Sequence, residues 1–403
     1  MKTFPTVSSL RLFDLDFIKM IKVLHFAIDE KFIDRGVNFF KEDTRAINHL
    51  LVVSESPDRK HVTSFRDFQL LSSELHKLPV IASAYDILVF HSLHPYFCKV
   101  IESAHEKFIV WIGMGFDYYD LIFYTKYHLM MEKTKAFYIN HISDIENNIL
   151  SAQISSAKPP EQKISLLSKI NVFCPVLPSE YEFIVQHGIS LPLYCAWNYI
   201  YEDLEEVMKP YPFSSNNSIF IGNSADPSNN HLDILSLISL DGMQPDTKII
   251  TPLSYGNTKY ANLVSTAFKS VFGERYTAVR NFLDLADYMK LLSTANVCIM
   301  AHKRQQGMGN IIMMLHLGYK IFMNSESPAY SFLIAHDIKV FPLEDLHRSG
   351  NIIANDLEHH VKIRNATLIK QLFSANLNRL RTKKIIDLME QHVNCLQTKD
   401  LSQ

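Results

Sequence analysis

Residues 296–324 constrain this chain more than any other stretch. Asn296 to Ala301 reads as a short strand and Arg304-Gln305-Gln306-Gly307-Met308-Gly309-Asn310 as a polar turn. The largely apolar run Ile311 to Leu317 reads as a helix, and Lys320 to Asn324 as a second strand. Gly318 falls where a helix stops. Strand, turn, helix, glycine and strand in that order make a βαβ crossover, the unit of a parallel sheet. The turn carries its own chemistry. Gly307 and Gly309 lack Cβ atoms, so backbone N–H groups can approach a ligand closely. They sit where the helix begins, where unpaired N–H groups and the positive end of the dipole favour an anion. Arg304 adds a full positive charge, and Gln305 and Gln306 add neutral donors. A phosphate or diphosphate suits this chemistry; the plainer alternative is a solvated βα turn.

Length and charge bound the rest. The 403 residues suit two or three domains of ordinary size, and 47% hydrophobic content fills real cores. A formal net charge of −2 lacks the basic excess of a nucleic-acid protein, so no nucleic-acid partner is expected. Cys98, Cys174, Cys195, Cys298 and Cys395 form no Cys-x-x-Cys pair and read as reduced, mostly buried thiols of a cytoplasmic protein. No run of about 18 apolar residues suggests a transmembrane helix. Residues 1–20 carry Asp14 and Asp16 before any apolar run, a poor signal peptide, and read as an N-terminal extension.

Taken in order, the pattern is strand and helix in alternation. Residues 22–28, 49–53, 85–90, 108–111 and 169–174 read as strands, with a helix over about 95–104 and long helical stretches over about 119–168. This describes a doubly wound α/β domain over 21–200. Residues 201–217, with an acidic cluster followed by Lys-Pro-Tyr-Pro-Phe-Ser-Ser-Asn-Asn, read as a linker. The alternation then restarts. Strands at 218–221, 248–251, 276–279, 296–301 and 320–324, closed by Val340-Phe-Pro, build a second Rossmann-like domain over 218–354. A charged helical tail, 355–403, follows.

Two further polar loops leave strand ends in the second domain. Gly222-Asn223-Ser224-Ala225-Asp226-Pro227-Ser228-Asn229-Asn230-His231 supplies amides and hydroxyls to orient an anion or a sugar, and His231 is a candidate donor to phosphate. Ser228 or Asn229 serves equally as a helix cap. Pro252-Leu-Ser254-Tyr255-Gly256-Asn-Thr is the third loop. Ligands of open α/β sheets collect at the C-terminal strand ends, so three such loops point to a nucleotide-type ligand. Neither the Rossmann nor the Walker fingerprint is present.

Two α/β domains, with the phosphate loops in the second, resemble a GT-B-type glycosyltransferase: two Rossmann-like doubly wound domains facing a cleft. From Ser218 to about Phe341 the chain resembles glycosyltransferase family 56. The matching pieces are Ile221-Gly-Asn-Ser-Ala-Asp-Pro-Ser-Asn-Asn-His231, Pro252-Leu-Ser-Tyr-Gly256, Arg304-Gln-Gln-Gly-Met-Gly309 and Asn324-Ser-Glu-Ser-Pro-Ala-Tyr330. In the first domain, Trp111-Ile-Gly-Met-Gly115-Phe-Asp117-Tyr-Tyr resembles the family's aromatic-Gly-x-Asp segment. The resemblance implies a transferase of 4-acetamido-4,6-dideoxy-D-galactose (Fuc4NAc) from a dTDP-linked donor. The acceptor would be a polyprenyl-diphosphate-linked saccharide, in the synthesis of a bacterial surface polysaccharide. It implies a protein peripheral to the cytoplasmic face of the inner membrane, with no cofactor and no metal held by Asp-x-Asp.

Such a site would neutralise the departing diphosphate with helix N-termini and cationic side chains. Arg304 and the segments Gly222, Asn223, Ser224 and Gln305, Gln306, Gly307, Met308, Gly309 are the candidates for that task. Asn229, His231, Ser254, Tyr255, Asn281 and Glu326 are candidates for holding the nucleotide or its sugar, with Phe282 beside Asn281. Asp117, after a strand and a Gly-x-Gly turn, is the first candidate for a base that deprotonates an acceptor hydroxyl, or else a helix cap; His91 and His94 are alternatives. The lysines and aromatics of 118–141 offer either a lipid-headgroup surface or a core stripe with a solvated face.

Overall fold

The computed structural model describes residues 20–64, 67–125, 127–141, 160–199, 204–213, 217–238, 243–348 and 356–400. The first sheet holds β1 Ile21–Ile28, β2 Ala46–Ser54, β3 Phe68–Leu71, β4 Ile87–Phe90, β5 Phe108–Ile112, β6 Val172–Cys174 and β7 Leu193–Tyr194, in the order β3-β2-β1-β4-β5-β6-β7. The second holds β8 Ser218–Ile221, β9 Lys248–Pro252, β10 Tyr276–Val279, β11 Val297–Met300, β12 Lys320–Met323 and β13 Phe341–Pro342, in the order β10-β9-β8-β11-β12-β13. Every strand pair is parallel. The central strands are largely apolar because helices cover both faces: β4, β5, β8, β11 and β12 are buried at every residue.

Each sheet reverses its winding once, between β1 and β4 and between β8 and β11. Chains leaving the two central strands turn to opposite sides there and leave a crevice at their C-terminal ends. His91 follows β4, and the Gly222 loop and residues 301–307 follow β8 and β11.

Some elements differ from the sequence reading. The edge strands β3 and β7 escaped it, being short and partly exposed, with no apolar run to mark them. The long helical stretch expected over 119–168 is a 3₁₀ turn at Tyr119–Thr125 and helices at Glu132–His141 and Glu161–Leu167; residues 142–159 of it lie outside the described residues. Tyr118, Tyr119, Phe123, Tyr127 and Tyr138 are buried. In the described part of 118–141 these aromatics are therefore core, and the lipid-facing alternative does not hold for them. The segment read as a linker contains a short helix, Leu204–Met208, whose Met208 is fully buried.

The tail is two helices, His359–Leu372 and Ala375–Asp400. The first packs on the helix Met308–His316 and the second reaches back to the first sheet. There Arg45 bonds Asp387 at 2.7 Å and Glu390 at 2.9 Å, and Trp197 Nε1 donates to Thr382 Oγ1. One apolar cluster runs from Val23 and Val110 through Trp197 and Met208 to Cys298, Ile321 and Met389. The domains thus share a continuous core on the side that the long helix covers.

Candidate active site

One glycine opens the helix after β11 and another closes it. Gly307 is left-handed (φ 67°, ψ 26°) and caps the nine-residue helix Met308–His316. The left-handed conformation favours glycine, and a Cβ there would fall 3.1 Å from Asn223 Nδ2, so the Asn223 side chain would have to give way. The helix stops in a Schellman motif, with Tyr319 N–H donating to Met314 O and Gly318 N–H to Leu315 O, Gly318 at φ 76°. The N–H groups of Met308, Gly309 and Asn310 lie in the first turn, where no carbonyl of their own helix reaches them.

Three loops meet at this helix start. Ser228 Oγ donates to Gln306 Oε1 (2.7 Å), Gln306 Nε2 donates to Asn223 Oδ1 (3.3 Å), and Asn223 Nδ2 donates to Tyr255 OH (3.1 Å). The β9 loop is locked to the β8 loop by Ala225 N–H to Tyr255 O and Asn257 N–H to Ala225 O. Gly256, at φ 110°, makes that approach possible, since a Cβ would lie 2.7 Å from the Ala225 carbonyl carbon. The Tyr255 ring is 53% exposed beside this junction.

Several candidates serve the loops from beneath instead of facing a ligand. Asn229 is fully buried: its Oδ1 accepts from Asn223 N–H and His302 Nε2, and its Nδ2 donates to Ser224 Oγ and Asp226 O. Ser224 is buried with it. His231 is fully buried behind Gly222, with Nδ1 bonded to Tyr260 OH at 3.2 Å. Burial lowers its pKa to about 3, so it is a neutral histidine, and its Nε2, which meets no partner, lies against Gly222. Met308 contributes only its backbone, its side chain being core. Gln305 is buried toward the first domain: its N–H donates to Tyr119 OH at 2.9 Å, and its side chain packs on Gly115. Asn281 and Phe282 are exposed beyond β10, and Ser254 is partly exposed.

Asp117 requires the plainest correction. It is 4% exposed, and its carboxylate accepts from Leu93 N–H, Trp111 Nε1 and Met114 N–H, each at 2.8 Å. Burial raises its pKa, opposed by Lys163 and these donors. With both oxygens engaged it cannot reach an acceptor hydroxyl, and it caps no α-helix; it ties the end of β4 to the end of β5.

The segment so tied is His91-Ser92-Leu93. His91 is fully buried and joins a chain that fixes its own tautomers. Asn48 Nδ2 donates to Phe40 O and Ala46 O, so its Oδ1 must accept, at 3.0 Å, from His25 Nε2–H. His25 Nδ1 is then the acceptor for His91 Nε2–H at 2.9 Å, which leaves His91 Nδ1 to accept the Tyr199 hydroxyl at 2.5 Å. Both rings are held neutral, His25 near pKa 4, chiefly by burial. Ser92 sits at φ 115°, outside the comfortable range of an L-residue, and its buried Oγ meets no partner. His94 accepts from Tyr96 N–H. Sequence reasoning missed His25, Asn48 and Tyr199; the one available signal was a histidine inside the apolar strand Val-Leu-His-Phe-Ala-Ile.

Contacts across the crevice were equally invisible. Tyr119 OH, which receives Gln305 N–H, donates to Glu180 Oε1 (2.8 Å), and Glu180 Oε2 accepts from Leu177 N–H. Glu180 is fully buried, and burial lifts its pKa to about 7. Arg304 lies within 3.8 Å of a Cβ built on Gly115, and Nη1 donates to Gln305 O. Glu326 pairs with Lys303 at 2.8 Å. The structure thus gathers Arg304, Gln306, Gly307, Gly309, Asn223 and Tyr255 around one helix start, with Glu326 paired beside it. Among the described residues no group of three or more His, Cys, Asp or Glu is placed to hold a metal.

Residues 200–377 match the family described as 4-alpha-L-fucosyltransferase glycosyl transferase group 56. Solved structures share the fold at low identity. Sucrose-phosphate synthase from Thermosynechococcus elongatus is 10% identical, with a TM-score of 0.59 over 92% of this chain and 99% of that one. HepE from Anabaena, in complex with UDP and glucose, gives 10% and 0.59 over 91% and 99%. A glycosyltransferase from Rickettsia africae gives 13% and 0.56 over 93% and 99%. The two-domain GT-B architecture and the family 56 resemblance are both borne out, and the chain is a glycosyltransferase.

Proposed function

We propose that this glycosyltransferase moves a deoxy-acetamido sugar of the Fuc4NAc type from a dTDP-linked donor to a polyprenyl-diphosphate-linked saccharide. It would work as a peripheral protein at the cytoplasmic face of a bacterial inner membrane. The second domain takes the donor and the first takes the acceptor. One observation carries this reading: the β8 loop, the β9 loop and the β11 turn converge on the open N–H groups of residues 308–310, with the Arg304 guanidinium in the same turn.

In the reaction the bond from the sugar's anomeric carbon to the diphosphate oxygen breaks, a bond to the acceptor oxygen forms, and the acceptor hydroxyl's proton passes to the departing diphosphate or to water. Negative charge gathers on the departing diphosphate. Fixed amide dipoles and a guanidinium stabilise that charge without reorganising, more than they stabilise the bound donor. Asn223 and Gln306 position the diphosphate from the side, Tyr255 offers a ring face to the nucleoside, and Glu326 accepts sugar hydroxyls. No helix among the described residues is long and apolar enough to cross a membrane, in keeping with peripheral attachment. A UDP-linked donor is the second reading, supported by HepE, which was solved with UDP and glucose in the same architecture.

Thermal-shift titration with dTDP, UDP and GDP, followed by transfer assays with sugars of the nucleotide that binds, tests the proposal. Arg304→Ala is expected to lower kcat/KM by roughly a hundredfold. Absence of stabilisation by any nucleoside diphosphate would sink it.

A further inference from the structure

The peptide between Arg304 and Gln305 is held on both of its edges, and from both domains. Its carbonyl, Arg304 O, accepts from Ser327 Oγ at 3.4 Å, and Ser327 caps the helix Pro328–Ala335 of the second domain. Its N–H, on Gln305, donates to Tyr119 OH of the first domain at 2.9 Å. A peptide unit is planar, so fixing its C=O and its N–H fixes the plane. The plane in turn sets the direction in which the Arg304 side chain leaves the backbone.

The first-domain side of this arrangement has no loose member. Tyr119 is buried, and its hydroxyl carries one proton. With Gln305 N–H donating to the oxygen, that proton goes to Glu180 Oε1 at 2.8 Å. Glu180 is buried too, and its Oε2 accepts from Leu177 N–H at 2.8 Å, which caps the helix Pro178–Gln186. The direction of the Tyr119 hydroxyl is therefore inherited from a helix start. That helix packs on Pro328–Ala335, where Ser179 Oγ donates to Pro328 O at 2.6 Å. The two helices that hold the two edges of the peptide thus hold one another. The loops around the helix start at 308–310 are different. Asn223, Ser228, Tyr255 and Gln306 bond among themselves, all within the second domain.

We propose that Tyr119 and Glu180 are positioning residues for the transfer: through the Arg304–Gln305 peptide they direct the Arg304 guanidinium to the departing diphosphate, and they touch neither substrate. The inference rests on the reading above that Arg304 stabilises that diphosphate. It adds that the first domain sets the place of the second domain's cation. The effect falls on the rate more than on donor affinity, because the loops around 308–310 keep supports of their own and Arg304 acts most strongly on charge that develops in the transition state.

Tyr119→Phe, in the full chain, removes one oxygen and keeps the ring. It is expected to lower kcat roughly tenfold while the donor KM moves by less than about twofold. Glu180→Gln, of the same shape, moves kcat in the same direction. Added to Arg304→Ala, Tyr119→Phe is expected to lower kcat no further, since it acts through a side chain already gone. A general defect of the core would instead lower kcat by the same factor in both backgrounds. Amide hydrogen exchange over 303–307, measured with no nucleotide present, is expected to quicken in Tyr119→Phe. A full effect of Tyr119→Phe in the Arg304→Ala background, a raised donor KM at unchanged kcat, or unchanged exchange over 303–307 overturns the proposal. Should dTDP, UDP and GDP all fail to stabilise the protein, the donor reading fails, and the exchange measurement still decides whether Tyr119 holds the turn.

Discussion

His25 and Glu180 are both fully buried titratable groups, and burial drives them in opposite directions. The folded pKa of His25, about 4, lies below its unfolded value of 6.5, so its contribution is complete above pH 6.5 and is lost as pH falls toward 4. His231 and His302, both near 3, act the same way. Glu180, raised from 4.5 to about 7, contributes most below pH 4.5 and loses that as pH rises through 7. Three histidines outweigh one carboxylate, because each tenfold change in proton affinity on folding is worth roughly 1.4 kcal/mol. The urea midpoint is therefore expected to fall between pH 6.5 and 5, and to fall more steeply in Glu180→Gln. A flat profile in both proteins would contradict the buried, neutral histidines. Asp117 teaches the complementary lesson. Its place in the sequence suggested a base, and its three donors make it a tie.

At the scale of elements, the helix Glu132–His141 belongs by sequence to the first domain and by packing to the second. Its first N–H groups have no partners within the helix, and Asp233 of another helix accepts them. Asp233→Ala removes that cap, at a cost of about 1 kcal/mol. Hydrogen exchange over 132–141 is expected to quicken while β11 and β12 keep their protection. Unchanged exchange there would show that the helix docks by its apolar contacts alone. The helix Met308–His316 differs in being legible from the outset, because Gly307 and Gly318 bracket it and an apolar run fills it.

At the scale of the molecule, the long helix Ala375–Asp400 leaves the second domain and seals the first. Arg45 anchors it through Asp387 and Glu390 while also bonding Asp43, a network that is only part exposed. Because solvent screens such pairs, Arg45→Ala is expected to cost about 1 kcal/mol. The readout is faster proteolysis within 375–400 at unchanged nucleotide affinity; coupled loss of affinity would instead mean that the long helix sets the spacing of the crevice.

The fold class followed from local information. Apolar runs of strand length, helices of amphipathic period and glycines at the turns are properties of neighbours in sequence, and they sufficed to read two parallel α/β domains and the turn at 304–309. Which polar side chains face a ligand did not follow, because it depends on what covers them. His231, Asn229 and Asp117 are polar residues in polar-looking loops, yet they are buried by chain from distant positions. The His25–His91–Tyr199 chain and the Gln305–Tyr119–Glu180 contact join residues 61 to 186 positions apart. Strand order sets such pairings, and strand order is decided only when the sheets assemble.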